Sequence, residues 1–218
     1  MKIDLDALRE RLPQNPGIAT GERHPQFVVF VPLILVEGEH HMLFEVRAKG
    51  IRQEGEVCFP GGRHEPESDA SVEETALRET EEELGIARAK LRILGRLHSI
   101  VTHWGALIHV CAGEVHDISP AELSLNQGEV ERVLSVPFSF FASSQPERYQ
   151  VRVETQPWFV DEEGRTQILF PARELGLPRR YWNAWGAQMR PVYLYRYQGD
   201  VIWGITAEVI RDFVAAVS

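Results

Sequence analysis

The chain has 218 residues, of which 44% are hydrophobic and 25% charged. This composition is sufficient for a hydrophobic core, and the length predicts one folded domain over residues 1–218. Its net charge of −9 argues against nucleic acid or an anionic membrane as a partner, although a bound divalent cation would still let a small phosphate compound bind. The longest apolar run is too short to span a bilayer and the N-terminus is too charged for a signal peptide, so a cytoplasmic protein is expected.

The first predicted elements are a helix and a hairpin. Residues 4–12 predict a short amphipathic helix, which forms an N-terminal extension over residues 1–24 together with the polar loop that follows. Residues 26–37 and 42–47 are rich in Val, Ile, Leu and Phe, and they predict two buried strands joined by a turn.

A third strand is predicted over residues 55–60, and it ends in a glycine turn at Gly61 and Gly62. Three cations lie in the link before this strand: Arg47, Lys49 and Arg52. They either belong to a solvated loop or contact phosphates of a substrate, and Arg47 and Arg52 are kept as binding candidates.

The central helix is predicted to begin near Asp69 or Ser71, either of which can cap it, and to end at Gly85. An apolar stripe on this helix is expected to pack on the core: Val72, Ala76, Leu77, Thr80 and Leu84. Three glutamates share another face through i, i+3, i+4 spacing: Glu79, Glu82 and Glu83. They are either a solvated surface or hard oxygen ligands for Mg²⁺ or Mn²⁺, because carboxylates so close together repel one another without a cation.

Two further strands, over residues 91–101 and 106–115, are predicted after the helix. The three histidines in this region are interpreted as structural, since no Cys/His spacing of a zinc site occurs: His98, His103 and His109. Cys58 and Cys111 are interpreted as reduced buried thiols, with a disulfide or a metal pair as the alternative.

The C-terminal part predicts strands within residues 145–171 around a turn at 161–164, a strand over 192–197 and a helix over 206–217. Trp158 and Phe159 are interpreted as core residues or as contacts of a homodimer. The segment before the last strand mixes aromatic residues with cations, including Arg179 and Arg180, as both nucleotide sites and protein interfaces do. Two hairpin-rich halves around a helix predict an α/β layered sandwich.

The segment that starts at Gly62 resembles the Nudix box. Residues 78–86 match its second half, Arg-Glu-apolar-any-Glu-Glu-any-Gly-apolar, with Thr80 at the apolar position. The first half is two residues longer than the general pattern, with Ala70 where the first Glu is expected and Asp69 just before it.

This departure resembles the coenzyme A pyrophosphatase branch of that family. The segments that carry the resemblance are Phe59-Pro60-Gly61-Gly62, Asp69 nine residues before Arg78, Thr75-Ala76-Leu77-Arg78-Glu79, and Ile202-Trp203-Gly204-Ile205-Thr206-Ala207. The stretch before the box differs, because Ile51-Arg52-Gln53-Glu54-Gly55 lacks the histidine that the branch usually has there.

The resemblance implies a Nudix fold, in which a mixed sheet lies between helices, and metal-dependent hydrolysis of a pyrophosphate bond in a nucleoside diphosphate derivative. Coenzyme A or an acyl-CoA is the expected substrate; the alternatives are ADP-ribose, NADH or another nucleotide, and a sensor that binds a nucleotide without catalysis.

The resemblance also implies roles for individual residues. Gly61 and Gly62 let the backbone turn tightly beside phosphates, and Arg78 orients one of the glutamates. Mg²⁺ or Mn²⁺ is expected on Glu79, Glu82 and Glu83. The general base is expected among Glu82, Glu83 and Glu129, the last of which lies in the late region over residues 120–137.

Overall fold

The computed structural model describes residues 24–217, so the helix predicted over residues 4–12 lies outside the described part. The strands, in chain order, are β1 (Gln26–Val36), β2 (Glu39–Arg47), β3 (Val57–Cys58), β4 (Gly61–Arg63), β5 (Leu91–Arg96), β6 (Ile100–Val101), β7 (Leu107–Val115), β8 (Val130–Pro137), β9 (Glu147–Thr155), β10 (Trp158–Val160), β11 (Thr166–Ile168), β12 (Trp185–Tyr197) and β13 (Asp200–Trp203). The α-helices are α1 (Val72–Leu84), α2 (Phe138–Ser143) and α3 (Gly204–Val217). None of these helices is long and apolar enough to cross a membrane.

An eight-stranded mixed sheet forms the centre of the molecule. Its main order is β3-β2-β1-β7-β5, with β4 beside β1, β6 beside β7 and β8 beside β2. Only the β1–β7 pair in this sheet is parallel, and the predicted β1–β2 hairpin is confirmed as an antiparallel pair. Since parallel strands need a crossover connection, the chain between β1 and β7 has to pass over the sheet, and α1 lies in that connection.

Both faces of the sheet are buried under helices. Successive residues of a strand point to opposite faces of the sheet. In β1, residues on one face pack with α1, and residues on the opposite face pack with α3. The α1 side contains Val28, Phe30, Ile34, Ala76 and Leu84. The α3 side contains Val31, Val209, Ile210 and Phe213, with Phe141 of α2. The predicted α/β/α sandwich with a mixed central sheet is therefore confirmed.

The central helix α1 has the predicted ends, with Ser71 rather than Asp69 as its cap. The Ser71 hydroxyl accepts a hydrogen bond from the Glu74 N–H at 3.2 Å. Gly85 has a φ of 66° and donates its N–H to the Glu81 carbonyl, which ends the helix. The apolar stripe is confirmed, since Ala76, Thr80 and Leu84 are buried and Val72 and Leu77 pack beside them.

The bounds of three predicted strands differ from those in the structure, because each strand extends only as far as it pairs with its neighbours. The strand over residues 91–101 is divided into β5 and β6, which pair separately with β7. The strand over residues 55–60 is only the two residues of β3. The strand predicted at 192–197 begins at Trp185, because the residues before Val192 pair with β9.

The C-terminal strands form a second sheet, β13-β12-β9, and a separate hairpin, β10–β11. The turn at residues 161–164 joins β10 and β11, whereas β9 pairs with β12 instead. Trp158 and Phe159 lie exposed on the hairpin, so their interpretation as core residues is wrong. The closing helix begins two residues earlier than predicted, at Gly204.

Candidate active site

A tight glycine turn lies beneath α1. Gly61 has a φ of 153°, and a Cβ atom on it would lie 2.1 Å from the backbone oxygen of Val28. A Cβ atom on Gly62 would lie 2.3 Å from a carboxylate oxygen of Glu79. Glycine is required at Gly61 because the atoms in the way are backbone of β1, whereas a side chain at Gly62 would have to displace the Glu79 carboxylate.

Arg78 of α1 is fixed by Asp69 in the loop before the helix. Its Nε and Nη2 atoms donate to the two Asp69 oxygens at 2.9 and 3.0 Å. The buried Asp69 carboxylate also accepts a hydrogen bond from the Thr75 hydroxyl at 2.9 Å. The hydrogen bonds from Arg78 hold the pKa of Asp69 well below its usual range, so this carboxylate is charged. The displaced acid of the lengthened loop therefore anchors the arginine of the motif.

The remaining nitrogen of Arg78 holds two of the three helix glutamates. Nη1 lies 2.9 Å from Glu79 and 3.1 Å from Glu82. Burial raises the pKa of Glu79, against the effect of the nearby guanidinium. Arg78 thus has the expected orienting position, and it contacts two acids of the predicted set rather than one.

Glu83, the third glutamate, points away from this pair. Its side chain is buried, with 3% exposed, and one oxygen accepts the N–H of Gly61 at 2.9 Å. Glu82, in contrast, has 55% of its side chain exposed. The prediction that the three glutamates share one face is wrong for the exposure of Glu82 and Glu83. Adjacent residues of a helix are rotated by about 100°, and the sheet covers Glu83 but not Glu82.

Glu45 of β2 is a further carboxylate at this site, and it is not among the residues predicted from the sequence. It is 1% exposed, and its Oε1 atom accepts a hydrogen bond from the Cys58 thiol at 3.2 Å. Its Oε2 atom is buried without a hydrogen-bond partner in the described part of the chain. The sequence pattern that could have identified Glu45 is an acidic residue within the apolar stretch of a strand, on the same face as the buried Leu43.

The carboxyl groups of Glu45 and Glu83 interact across the interface between sheet and helix. Burial raises the pKa of Glu83 to about 9, and the Glu45 carboxylate is the next cause. Burial also raises the pKa of Glu45 to about 7, although Cys58 and Arg47 favour its charged form. Both groups therefore retain a proton more readily than an ordinary glutamate does.

Glu129 lies at the edge of the same cluster. Its backbone oxygen accepts the N–H of Ala48 at 2.8 Å, which places it beside the end of β2. The negative charge of Glu129 further raises the pKa of three other carboxyl groups: Glu45, Glu79 and Glu83. The Glu129 side chain is exposed, and it makes no hydrogen bond or ion pair with any residue from 24 to 217.

No three His, Cys, Asp or Glu side chains within residues 24–217 converge closely enough to form a ready metal site. The predicted ligands are spread apart because Arg78 holds Glu79 and Glu82, while the Gly61 N–H holds Glu83. The donor chemistry nevertheless fits a hard divalent cation, since several carboxyl groups lie near enough to raise one another's pKa and a buried oxygen of Glu45 lacks a hydrogen-bond donor in the described residues.

The cations before the glycine turn have different surroundings. Arg47 donates its Nε to the Arg52 carbonyl at 2.9 Å and lies 3.7 Å from the Glu45 carboxylate, so it faces the acids. The Arg52 and Lys49 side chains are exposed and have no partner in the described part of the chain. In the aromatic segment, Arg180 stacks on Tyr181 at 4.6 Å.

Two of the three histidines interpreted as structural have side-chain partners, whereas His103 is exposed. His109 bonds to Gln26 at 2.8 Å and to Ser99 at 2.9 Å, and His98 contacts Asp212 at 2.9 Å. Cys58 and Cys111 are free thiols, so the disulfide alternative is wrong.

Comparisons with known proteins identify the family of the chain. The sequence model of the NUDIX domain matches residues 25–139. The uncharacterized Nudix hydrolase NudL of Photorhabdus laumondii is 30% identical over 211 residues, which cover 95% of this chain and 92% of NudL. The human mitochondrial coenzyme A diphosphatase NUDT8 is 34% identical over 123 residues, which cover 56% of this chain and 52% of NUDT8.

A solved structure extends the comparison to the fold. A MutT/nudix family protein from Enterococcus faecalis superposes with a TM-score of 0.50 at 15% identity. The superposition covers 98% of this chain and 68% of the other.

Proposed function

Because the chain belongs to the Nudix hydrolase family and is a pyrophosphohydrolase, we propose that its substrate is coenzyme A or an acyl-CoA. Hydrolysis adds one water across the pyrophosphate bond and gives a 4′-phosphopantetheine and adenosine 3′,5′-bisphosphate. The Asp69–Arg78 pair carries this proposal, since the lengthened loop with its displaced aspartate resembles the coenzyme A branch. The similarity to a coenzyme A diphosphatase over about half of each chain supports it further.

Glu79, Glu82 and Glu83 are proposed to hold Mg²⁺ or Mn²⁺. A bound cation would neutralise the phosphates and polarise the phosphorus that is attacked. Arg78 positions the carboxylates of both Glu79 and Glu82, and the Gly61 N–H positions that of Glu83. The close approach of Gly62 to Glu79 keeps the turn and this ligand together.

Glu129 is proposed as the general base. Among the three glutamates considered, Glu82 is paired with Arg78 and Glu83 with the Gly61 N–H, whereas Glu129 is exposed beside the cluster and unpaired in residues 24–217. A carboxylate in that position can take the proton of the attacking water, provided that the water lies within hydrogen-bond reach.

Product analysis tests the substrate. The full chain is incubated with Mg²⁺ or Mn²⁺ and with coenzyme A, ADP-ribose or NADH, and the products are identified by mass spectrometry. We expect cleavage of coenzyme A at the pyrophosphate and no turnover in excess EDTA. Much faster hydrolysis of ADP-ribose would contradict the coenzyme A assignment and favour the alternative nucleotide substrates, which the missing histidine in residues 51–55 leaves open.

The 3′-phosphate of coenzyme A provides a finer test of the same proposal. Arg52 is proposed to contact it, since its exposed guanidinium has no partner in residues 24–217. A charge-assisted contact contributes about 1.5–3 kcal/mol, so dephospho-CoA should be a poorer substrate by about 10- to 150-fold. Arg52→Gln should remove this difference, whereas the control Arg148→Gln, at an exposed arginine of β9, should preserve it. An unchanged preference in Arg52→Gln would contradict the assigned contact.

A further inference from the structure

Glu45 carries a buried oxygen that the described structure leaves without a partner. Its side chain is 1% exposed within β2, and Oε2 accepts no hydrogen bond from any residue between 24 and 217. Buried carboxylate oxygens are almost always paired, because removing them from water without compensation is unfavourable. A group beyond the described contacts is therefore expected to meet Oε2.

Among the described residues, the Glu83 carboxyl group can donate a hydrogen bond to Glu45, and it can do so only while it carries a proton. The other neighbours of Glu45 lie at its Oε1 atom. The Cys58 thiol donates to Oε1 at 3.2 Å, and the Arg47 guanidinium is 3.7 Å from the same oxygen. The Arg47 Nε is already used by the Arg52 carbonyl. Cys58 and Arg47 thus both lie at Oε1, so a charged Glu83 leaves the buried Oε2 atom without a donor in the described residues.

The group that faces Glu45 from the helix is another acid, Glu83. It is also buried, and its position is fixed because one of its oxygens accepts the Gly61 N–H at 2.9 Å. Glu129 lies close enough to act electrostatically on both carboxylates, and Glu79 acts on Glu83. Of these four acids, Glu45 has Arg47 at 3.7 Å and Glu79 has Arg78 at 2.9 Å, whereas Glu83 and Glu129 contact no cation among the residues that the structure describes.

We propose that Glu45 is an additional ligand of the divalent-cation site, binding through Oε2 from the sheet opposite the helix glutamates. This rests on the proposed function only in requiring a divalent cation at Glu83. A hard cation is the chemical species that satisfies an unpaired carboxylate oxygen and relieves the repulsion between facing carboxylates. The site would then be closed from two directions, by α1 and by β2.

Manganese binding without substrate tests this inference. The full chain and its Glu45→Gln variant are titrated with Mn²⁺, and the free ion is followed by electron paramagnetic resonance. Loss of the ligand should raise the Kd at least about tenfold, since even supporting residues of metal sites contribute that much. Glu131→Gln is the matched control, because Glu131 is exposed on the adjacent β8, makes no contact in residues 24–217 and carries the same charge. Its Kd should stay within about twofold of the parent value.

The outcomes separate this inference from the proposed function. If the parent binds Mn²⁺ and Glu45→Gln binds it equally well, Glu45 is only a neighbour of the site and the inference is wrong. If the parent does not bind Mn²⁺, both proposals fail. If Glu45→Gln binds weakly but coenzyme A is not cleaved, Glu45 remains a ligand and only the substrate assignment fails.

A crystal of the parent protein grown with Mn²⁺ gives a second test that does not depend on how the variant folds. The anomalous signal of the ion should lie within about 2.6 Å of Glu45 Oε2, the upper range for oxygen ligands of such cations. An ion bound to Glu83 but farther than that from Glu45 would overturn the inference.

Discussion

At the scale of single residues, Arg78 connects the loop before α1 with the acids on the helix. Two of its nitrogens bind the buried Asp69 in a bidentate pair, and the third reaches both Glu79 and Glu82. The planar guanidinium suits this arrangement, since its donors point in fixed directions and it remains charged at all relevant pH values. Asp69 therefore determines where Arg78 can lie, and a positioning role for Arg78 in catalysis remains a prediction.

We expect Asp69→Asn to lower the free energy of unfolding by about 3 kcal/mol, because it leaves Arg78 without its buried charge partner. Urea denaturation of both proteins measures the difference. Glu67→Gln is the control, since Glu67 is exposed in the same loop and has no contact in residues 24–217, and it should change stability by less than about 0.5 kcal/mol. Equal stabilities of the two variants would show that the pair is not structural.

The raised pKa of Glu83 predicts a dependence of stability on pH when no divalent cation is added. Its pKa rises from 4.5 to about 9 on folding, so the folded chain keeps a proton that the unfolded chain releases. The free energy of unfolding should therefore fall as pH increases between about 4.5 and 9.

Glu83→Gln removes this titration, so its melting temperature in EDTA should fall less than that of the parent between pH 5.5 and pH 8.5. Glu81→Gln is the control, because Glu81 is exposed on the same helix and Gln can still accept its hydrogen bond from the Arg88 N–H. A parental pH dependence in Glu83→Gln would mean that the buried carboxyl group does not titrate as described.

At the scale of elements, the glycine turn and α1 form one unit. The turn brings the Gly61 N–H to Glu83, and it passes so close to the helix that Gly62 nearly touches Glu79. The helix ends are fixed independently by Ser71 and Gly85. The turn therefore determines where the carboxylates lie, while the caps determine only where the helix begins and ends.

Alanine at the two glycines of the turn should have different effects. Gly61→Ala forces a Cβ atom against the Val28 backbone at 2.1 Å, which cannot move aside, so stability should drop by about 1–3 kcal/mol. Gly62→Ala meets only the mobile end of Glu79, so it should fold normally while turnover falls by about 100-fold through displacement of the carboxylate.

Chemical denaturation and initial rates of both variants test this contrast. Gly95→Ala is the control, because the space around Gly95 is open and it should alter neither property appreciably. A normal rate in Gly62→Ala would contradict the role given to Glu79.

At the scale of the whole molecule, the central sheet carries the site, and the C-terminal hairpin β10–β11 presents apolar side chains to solvent. Trp158 and its cross-strand partner Ile168 are 37% and 65% exposed on one face of the hairpin, and Phe159 is 46% exposed on the other face. Contiguous exposed apolar surface is typical of interaction sites rather than of isolated surfaces. A homodimer formed through this hairpin remains a prediction.

Sedimentation velocity over a range of protein concentrations tests this prediction. We expect the parent chain to self-associate and Phe159→Lys or Ile168→Lys to shift it to the monomer, because the charge would be buried in the contact. Leu35→Lys, at an equally exposed leucine of β1, should not change the association. A parent that stays monomeric at all concentrations would contradict the dimer.

The sequence by itself determined those features that depend on neighbouring residues. The ends of α1 follow from Ser71 and Gly85, and its buried stripe follows from helical periodicity. The Arg78–Glu83 motif was likewise sufficient to predict the family and the layered fold. These features are local, because caps, turns and spacing act within a few residues along the chain.

Only the tertiary structure decided which acids meet. Glu82 and Glu83 are adjacent in the sequence, yet one is exposed and the other is buried against the sheet. Glu45 comes from a distant strand, and its place opposite Glu83 follows from the pairing of β2 and from the helix that crosses it. Burial and repulsion depend on what packs opposite a side chain, and that partner is chosen by the fold rather than by neighbours in the sequence.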